Sequence, residues 1–233
     1  ILERITSLFN SADSHGTLFI IFNPIPQIIE LSEKDDDKLD DNNFVTSSLT
    51  GFTNPFKENA IKINTNIFIH KESETFDLLQ SRGEFFIHSD FDLADVFIKG
   101  VFDGNGTFNG TIRIFDKTID YSYVNPRKKD KRSFYGKIPI ELGYSQGDEK
   151  SSMLSEIQFS KISNKVKEYG GLYVFRDDFR VLPYGRENAD FLNFELRRSK
   201  RAGTYYFSYR RMFGYLELTR EINSDLKDKS SRE

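Results

Sequence analysis

The 27.1 kDa chain has 233 residues, of which 37% are hydrophobic and 15% aromatic, so it can bury a core. Its 33 basic and 36 acidic side chains give a formal charge of -3, so a site for a polyanion must be a local cluster. The absence of cysteine excludes disulfides, thiolate metal sites and thiol catalysis.

The apolar runs of the sequence are short. They fall far below the roughly 20 residues that a membrane-spanning helix needs, so we expect a cytoplasmic protein with no membrane partner. The sequence begins at Ile1 rather than at a methionine, and we expect it to be an internal segment of a longer protein.

The first fifty residues fall into three segments. Ile1 to Asn10 has apolar side chains at helical spacing and predicts the end of a helix. Residues 17–22 (TLFIIF) predict a strand that is buried on both faces. Seven acidic side chains against two lysines between Glu30 and Asp41 predict a solvated linker. We therefore divide the chain into residues 1–29, an acidic linker at 30–50 and a domain at 51–233.

The next part of the sequence has β patterns. Residues 60–70 alternate apolar and polar side chains and predict a half-buried strand. Residues 96–102 and 107–115 predict a hairpin, because the Asp-Gly-Asn-Gly run between them tolerates positive φ. Residues 117–124 and 137–144 predict two further strands. Pro139 favours a sheet edge for the second of them, since proline has no N–H to donate.

The C-terminal part mixes both kinds of pattern. Residues 150–169 predict a helix that ends at Gly170 and Gly171. Residues 172–183 predict a hairpin, residues 189–200 a second helix with basic side chains near its end, and residues 212–218 a last strand. The elements together predict an α+β fold with a mixed, largely antiparallel sheet and few helices.

Few residues suggest catalysis. The three histidines, His15, His70 and His88, cannot form a multi-histidine metal site without carboxylates, and structural or surface roles are favoured. No serine lies in the G-x-S-x-G context of a hydrolase. The glycines of residues 104–110 approach a dinucleotide fingerprint, but they lie between two strand patterns, which favours a hairpin turn.

Two basic clusters are candidate binding sites. One spans residues 127–132, with five basic side chains against Asp130. The other spans residues 186–211 and is interleaved with aromatic residues, a mixture that neutralises phosphates and stacks on bases. The alternative is a solvated helix face and loop whose aromatic residues lie partly in the core. The candidate polyanion-binding residues are Arg197, Arg198, Lys200, Arg201, Arg210 and Arg211.

Both ends of the chain contain ordered patterns. Y-x-x-R-D-x-F-R-V-L-P-Y-G at residues 173–185 is followed by D-F-L, R-R, G-Y-L-E-L and finally S-R-E at residues 231–233. Near the other end, S-L-F-N precedes H-G-T-L-F-I-I-F-N. These patterns resemble the GHKL-type ATPases, a group that includes DNA gyrase, ninety-kilodalton heat-shock chaperones, mismatch-repair proteins and histidine kinases. Bacterial members of unassigned role have the most similar patterns.

The resemblance implies different roles for the two ends of the chain. Residues 1–29 would be the last helix and strand of an ATP-binding domain, and residues 51–233 a transducer with a right-handed βαβ unit whose helix is residues 150–169. Arg232 would sense the γ-phosphate of the nucleotide, and Gly16 and Thr17 would form a turn at the base of the nucleotide pocket. An exposed terminal arginine and a turn at the start of a strand are the alternatives.

The sequence also departs from that family. Its magnesium-binding asparagine, catalytic glutamate and glycine-rich lid are not found here, so the resemblance assigns no catalytic or metal-binding residue to this chain. We expect ATP and Mg to bind a longer parent through an N-terminal ATP-binding domain, and we expect no turnover by this chain alone. Homodimerisation of the parent and nucleic-acid binding stay open.

Overall fold

The computed structural model describes residues 49–58, 63, 65–71, 74–77, 79, 84–126, 135–186 and 188–226, together with Pro26. Except for Pro26, these residues belong to one of two compact units of the chain, Asn43–Glu233. The predicted helix at residues 1–10, the strand at 17–22 and nearly all of the linker lie outside the described residues. The predicted domain boundaries therefore remain predictions.

The described part contains a seven-stranded sheet and a separate two-stranded one. The two-stranded sheet pairs β1 (Phe68–Lys71) with β2 (Glu74–Asp77). The strands of the large sheet are β3 (Val96–Phe102), β4 (Phe108–Ile114), β5 (Lys117–Tyr123), β6 (Ile138–Tyr144), β7 (Gly171–Arg176), β8 (Phe179–Arg180) and β9 (Met212–Leu218). Their order is β5-β4-β3-β6-β9-β7-β8, and all neighbours are antiparallel except β7 and β9. The predicted α+β fold with a mixed, largely antiparallel sheet is confirmed.

Two α-helices lie wholly within the described residues. The first, α1 (Glu156–Tyr169), starts at a capping box in which Ser155 Oγ accepts from the Gln158 amide and Gln158 Oε1 accepts from the Ser155 amide. This cap places the helix start six residues after the predicted one. The second, α2 (Phe194–Lys200), is shorter than predicted because residues 189–193 form turns. Short 3-10 turns lie at His88–Leu93, Glu149–Ser151 and Tyr209–Arg211.

The predicted βαβ crossover through α1 is wrong in its connectivity. Helix α1 joins β6 to β7, and both strands flank β9, with β6 antiparallel and β7 parallel to it. Strands β6 and β7 therefore run in opposite directions, whereas a crossover unit links parallel strands. The parallel pair is β7 and β9, and the chain between them contains β8 and α2.

Pro139 does not mark an outer edge of the sheet. Strand β6 is central, with β3 on one side and β9 on the other. Pro139 pairs with Val101 of β3, but the pairing with β9 begins only at Ile140, although β9 itself continues to Leu218. Pro139 has no N–H to donate, and it lies with Ile138 at the end of β6 that has no partner in β9.

The sheet separates two cores. One face carries Phe97, Tyr173, Phe175, Phe213 and Tyr215, which pack against α1 and against the phenylalanines of residues 56–91. The other face carries Val96, Phe108, Ile140, Leu142, Tyr144, Leu172 and Met212, which pack with Tyr209 and, less buried, with Phe194 of α2 and Phe207. The segment of residues 194–211 is therefore held on the face opposite α1.

Two hairpin predictions are confirmed. The β7–β8 turn has Asp177 and Asp178 at φ 51° and 66°, the left-handed conformation that a tight hairpin requires. In the β3–β4 turn, Asp103 Oδ1 accepts from the amides of Asn105 and Thr107. Of the predicted strand at residues 60–70, the structure describes Ile63 and residues 65–70, and within these the strand begins at Phe68, while Ile63 is 44% exposed.

Candidate polyanion-binding surface

Helix α2 is fixed at its start. The two carboxylate oxygens of Asp190 accept from the amides of Phe194 and Glu195, which have no partner within the helix. The ring of Phe194 lies 6.5 Å from that of Tyr209, inside the second core. These contacts direct one side of α2 to the sheet and leave its basic side chains outside.

Glu195 joins α2 to the 3-10 turn before β9. Its Oε1 accepts from the Ser208 hydroxyl and from the Arg210 amide. The same carboxylate lies 3.8 Å from Arg210 Nε and 4.0 Å from Arg198 Nη1. Two of the predicted polyanion-binding side chains, one from each segment, therefore meet at one acidic group.

The Glu195 carboxylate remains ionised more easily than an isolated one. Burial raises its pKa, but the hydrogen bonds from Ser208 and Arg210 and the positive charge of Arg210 outweigh burial and lower it overall. Glu195 therefore neutralises part of the positive charge of this surface near neutral pH.

The other predicted residues occupy different environments. Arg197, Lys200 and Arg201 are exposed, and within the described residues no carboxylate lies at ion-pair distance from them. Arg211 is half-buried, and its guanidinium lies so close to Gly147 that an added Cβ there would be 2.0 Å from Cζ. The exposed positive charge is thus concentrated at the C-terminal end of α2, where the helix dipole also favours it.

The aromatic residues of the cluster are divided between the surface and the core. Tyr205 and Tyr206 are 41% and 57% exposed, and the Tyr206 hydroxyl donates to Gln146 Oε1 at 2.7 Å. Tyr209 is fully buried, and its hydroxyl donates to the Ala189 carbonyl. Burial raises the pKa of Tyr209 to about 12. Only the first two tyrosines can present a ring face to a ligand.

Sequence reasoning missed the residues that organise this surface. Ser208 positions Glu195, Gln146 holds Tyr206, and Gly147 makes room for the Arg211 guanidinium. Gln146 and Gly147 are about sixty residues away in sequence and have no motif around them. Nothing in the local pattern could have connected them to the basic cluster.

The remaining predicted sites have separate outcomes. Arg232, Gly16, Thr17 and the basic run at residues 127–132 lie outside the described residues. The glycine run at 104–110 belongs to the β3–β4 hairpin, as predicted. His88 has a structural role, because its Nδ1 lies 2.7 Å from the Phe56 carbonyl. Among the described residues, no group of three or more acidic or histidine side chains could hold a metal ion.

Comparison with known proteins returned no match among family models, curated proteins or solved structures. In the part of the chain that the structure describes, no helix combines the length and apolarity needed to cross a membrane.

Proposed function

We propose that this chain binds nucleic acid through the surface formed by α2 and residues 205–211. The observation that carries the proposal is the group of exposed cations at the end of α2, Arg197, Lys200 and Arg201, which no described carboxylate neutralises. The chain as a whole has a charge of -3. A local positive surface on an acidic protein attracts a polyanion to one face only.

The chemistry of the side chains fits phosphate. A guanidinium offers a planar set of donors that can bind two phosphate oxygens at once, and five of the six candidate residues are arginines. The guanidinium groups of Arg198 and Arg210 both lie within 4.0 Å of the Glu195 carboxylate, so they stand side by side on this surface.

The exposed tyrosines support nucleic acid over other polyanions. Tyr206 is held by Gln146 and lies 5.8 Å from the Tyr144 ring, yet more than half of its surface is exposed. A ring that is already fixed loses little conformational entropy when a base stacks on it. Base stacking on an aromatic side chain contributes about 1–3 kcal/mol per base.

Binding to a labelled single strand, measured at several salt concentrations, tests the proposal. We expect the triple variant Arg197→Ala, Lys200→Ala, Arg201→Ala to bind at least tenfold more weakly at low salt. The slope of log K against log salt should fall by about 2, since each lost phosphate contact contributes about 0.7.

Exposed lysines elsewhere provide the matched control. Lys137, Lys161 and Lys167 are exposed and lie outside this surface. Their replacement by alanine removes the same charge and should change the slope much less. Equal losses in both triple variants would indicate a general charge effect and contradict the proposed site. A duplex and heparin, used in parallel, separate single-strand binding from binding of any polyanion.

A second candidate function follows from the resemblance to GHKL-type ATPases: the chain would relay the state of the nucleotide to a following domain. The residues of the C-terminal pattern form adjacent elements, namely β7, β8, α2 and β9. Arg176 of that pattern donates to the Leu226 carbonyl at 2.7 Å, and the Asp177 carboxylate accepts from the Arg220 amide. These two hydrogen bonds hold the segment of residues 220–226, which precedes Arg232 in the sequence, at the end of β7.

The same pattern also has a purely structural explanation. Arg180 is buried, donates to the carbonyls of Thr50 and Tyr184, and lies 4.6 Å from the Tyr173 ring. Gly185, at φ 85°, allows the backbone to contact that same ring. These contacts support the fold and do not by themselves require a nucleotide.

The relay is tested with an ATP-binding domain of GHKL type joined upstream of Ile1. We expect the joined protein to hydrolyse ATP and Arg232→Ala to lower turnover ten- to a hundredfold, as loss of a charged hydrogen bond of about 1.5–3 kcal/mol predicts. Lys227→Ala, five residues earlier, serves as the control. Unchanged turnover in Arg232→Ala would exclude the sensor role.

A further inference from the structure

Strand β5 forms one edge of the large sheet and is exposed along its whole length. All seven residues of β5 are exposed, and its register with β4 is continuous from Phe108 opposite Tyr123 to Ile114 opposite Lys117. No strand of the described residues lies on its other side. Proteins usually shorten, bend or interrupt such edges, since an open edge can pair with another strand. β5 contains neither a proline nor a bulge.

The hydrogen-bond pattern between β3, β4 and β5 determines which residues of β5 have backbone groups that face outward. The amide of Asp103 donates to the Thr107 carbonyl, and the amide of Phe115 donates to the Asp95 carbonyl, so odd-numbered residues join β3 to β4. Antiparallel ladders alternate, so the even-numbered residues of β4 bond to β5. Their partners in β5 are odd-numbered. The even-numbered residues of β5, at positions 118, 120 and 122, therefore point their N–H and C=O groups away from the sheet.

The side chains of β5 alternate in the same way. Ile119, Tyr121 and Tyr123 lie on the face that carries Phe108 and Ile112, with exposures of 50%, 43% and 48%. Ile114 of β4, which is opposite Lys117 on the same face, is 45% exposed. The opposite face of β5 carries Thr118, Asp120 and Ser122. An apolar stripe thus borders an open row of backbone donors and acceptors, a combination typical of an interaction surface.

We infer that β5 pairs antiparallel with β5 of a second copy of this chain, around a two-fold axis at Tyr121. The two sheets then form one continuous sheet with the apolar faces on the same side. A two-fold axis on an odd-numbered residue pairs even with even positions, which are the ones with outward-facing backbone groups. It opposes Thr118 to Val124, and Ile119 to Tyr123, of the second copy.

The charges of β5 select this register. An axis at Asp120 would place the two aspartates directly opposite each other, which is unfavourable for like charges. An axis at Ile119 would place Tyr123 opposite Phe115, which lies in the turn after β4. The axis at Tyr121 opposes Asp120 to Ser122 and keeps the whole strand in the interface. In this register the strand pairs its outward-facing backbone groups with themselves and places no like charges directly opposite each other.

Single cysteines test the register directly, because the chain contains no cysteine of its own. At the axis, the two Tyr121 Cα atoms form a non-hydrogen-bonded pair at about 4.5 Å. This distance lies within the roughly 4.4–6.8 Å range of disulfides. We expect mild oxidation of Tyr121→Cys to give a covalent dimer on a non-reducing gel.

Ile119→Cys is the matched control, since Ile119 lies on the same face with similar exposure. In the proposed register the two Ile119 residues are offset by four positions, about 13 Å along the strand. We expect no covalent dimer from this variant. Crosslinking of Ile119→Cys as fast as Tyr121→Cys, or no crosslinking of either, would overturn the inference.

Sedimentation of the 233-residue chain tests the association without modification. We expect a dimer for the wild type and for Ser122→Ala, and a monomer for Ser122→Pro. Proline at this position removes an outward N–H and leaves the backbone bonds to β4 intact. Both variants lose the hydrogen bond from the Ser122 hydroxyl to Asn109 Oδ1 of β4, so the alanine variant controls for that loss. A monomeric wild type, or a dimer that persists in Ser122→Pro, would contradict the pairing. A chain that sediments as a monomer bound to a different protein through β5 would also contradict the pairing.

Discussion

Replacing Lys165 with methionine is expected to lower the free energy of unfolding by about 3–5 kcal/mol. Lys165 and Asp90 are 7% and 1% exposed, and their charged atoms are 2.8 Å apart. Lys165 Nζ also donates to the Phe85 carbonyl at 3.1 Å, while the Asp90 carboxylate accepts from the Ile87 amide. Without the lysine, Asp90 is a buried charge with no opposite charge beside it. Urea denaturation followed by circular dichroism measures the loss.

A double-mutant cycle separates the pair from simple packing. Asp90→Asn keeps an oxygen for the Ile87 amide and removes the charge. The double variant Asp90→Asn, Lys165→Met should lose less unfolding free energy than the two single variants lose together. The difference, which is the coupling energy of the pair, should be at least about 1 kcal/mol. The exposed Lys161 and Lys167 of α1 are the controls, and methionine there should change stability by less than about 0.5 kcal/mol. Additive single losses would contradict the pairing.

Replacing Phe56 with alanine is expected to cost about 3–5 kcal/mol as well. Phe56 is fully buried, and its ring centroid lies 5.4–6.2 Å from those of five other rings. These are the rings of Phe85, Phe86, Phe91, Tyr173 and Tyr215. Alanine would leave a cavity at the centre of the core between the sheet and α1. The same denaturation measurement gives the loss.

The control for Phe56→Ala is the same substitution at a phenylalanine whose side chain is exposed. Phe68 of β1 is 59% exposed, so Phe68→Ala should cost less than about 1 kcal/mol. In Phe56→Leu the leucine fills part of the cavity. The loss of unfolding free energy in this variant should lie between the losses in Phe56→Ala and Phe68→Ala. Similar losses for Phe56→Ala and Phe68→Ala would mean that residue 56 is not central to the core.

The sequence predicted those elements whose local pattern is unambiguous. The β3–β4 hairpin follows from the Asp-Gly-Asn-Gly turn, and the end of α1 follows from Gly170 and Gly171. Both are signals of backbone conformation that act within a few residues. The start of α1 was misplaced because residues 150–154 continue the apolar spacing, whereas the Ser155 cap fixes the helix start.

For the candidate site, the sequence predicted which residues take part but not their exposure or their contacts. The sequence identified the basic residues of 197–211 and their aromatic neighbours. It could not distinguish Tyr206, which is exposed, from Tyr209, which is buried, since both lie in the same short aromatic run. Nor could it show that Glu195 bridges Arg198 and Arg210, because that contact depends on how α2 packs on the sheet.

Sequence alone determined the class of fold, the positions of most strands and the location of the basic cluster, because hydrophobic period and turn chemistry are local properties. Tertiary structure decided the order of the strands. It placed Pro139 in a central strand, made β6 and β7 antiparallel across β9, and left β5 exposed at an edge. Strand order depends on contacts between residues far apart in the chain, and no local pattern records which strand will lie beside which.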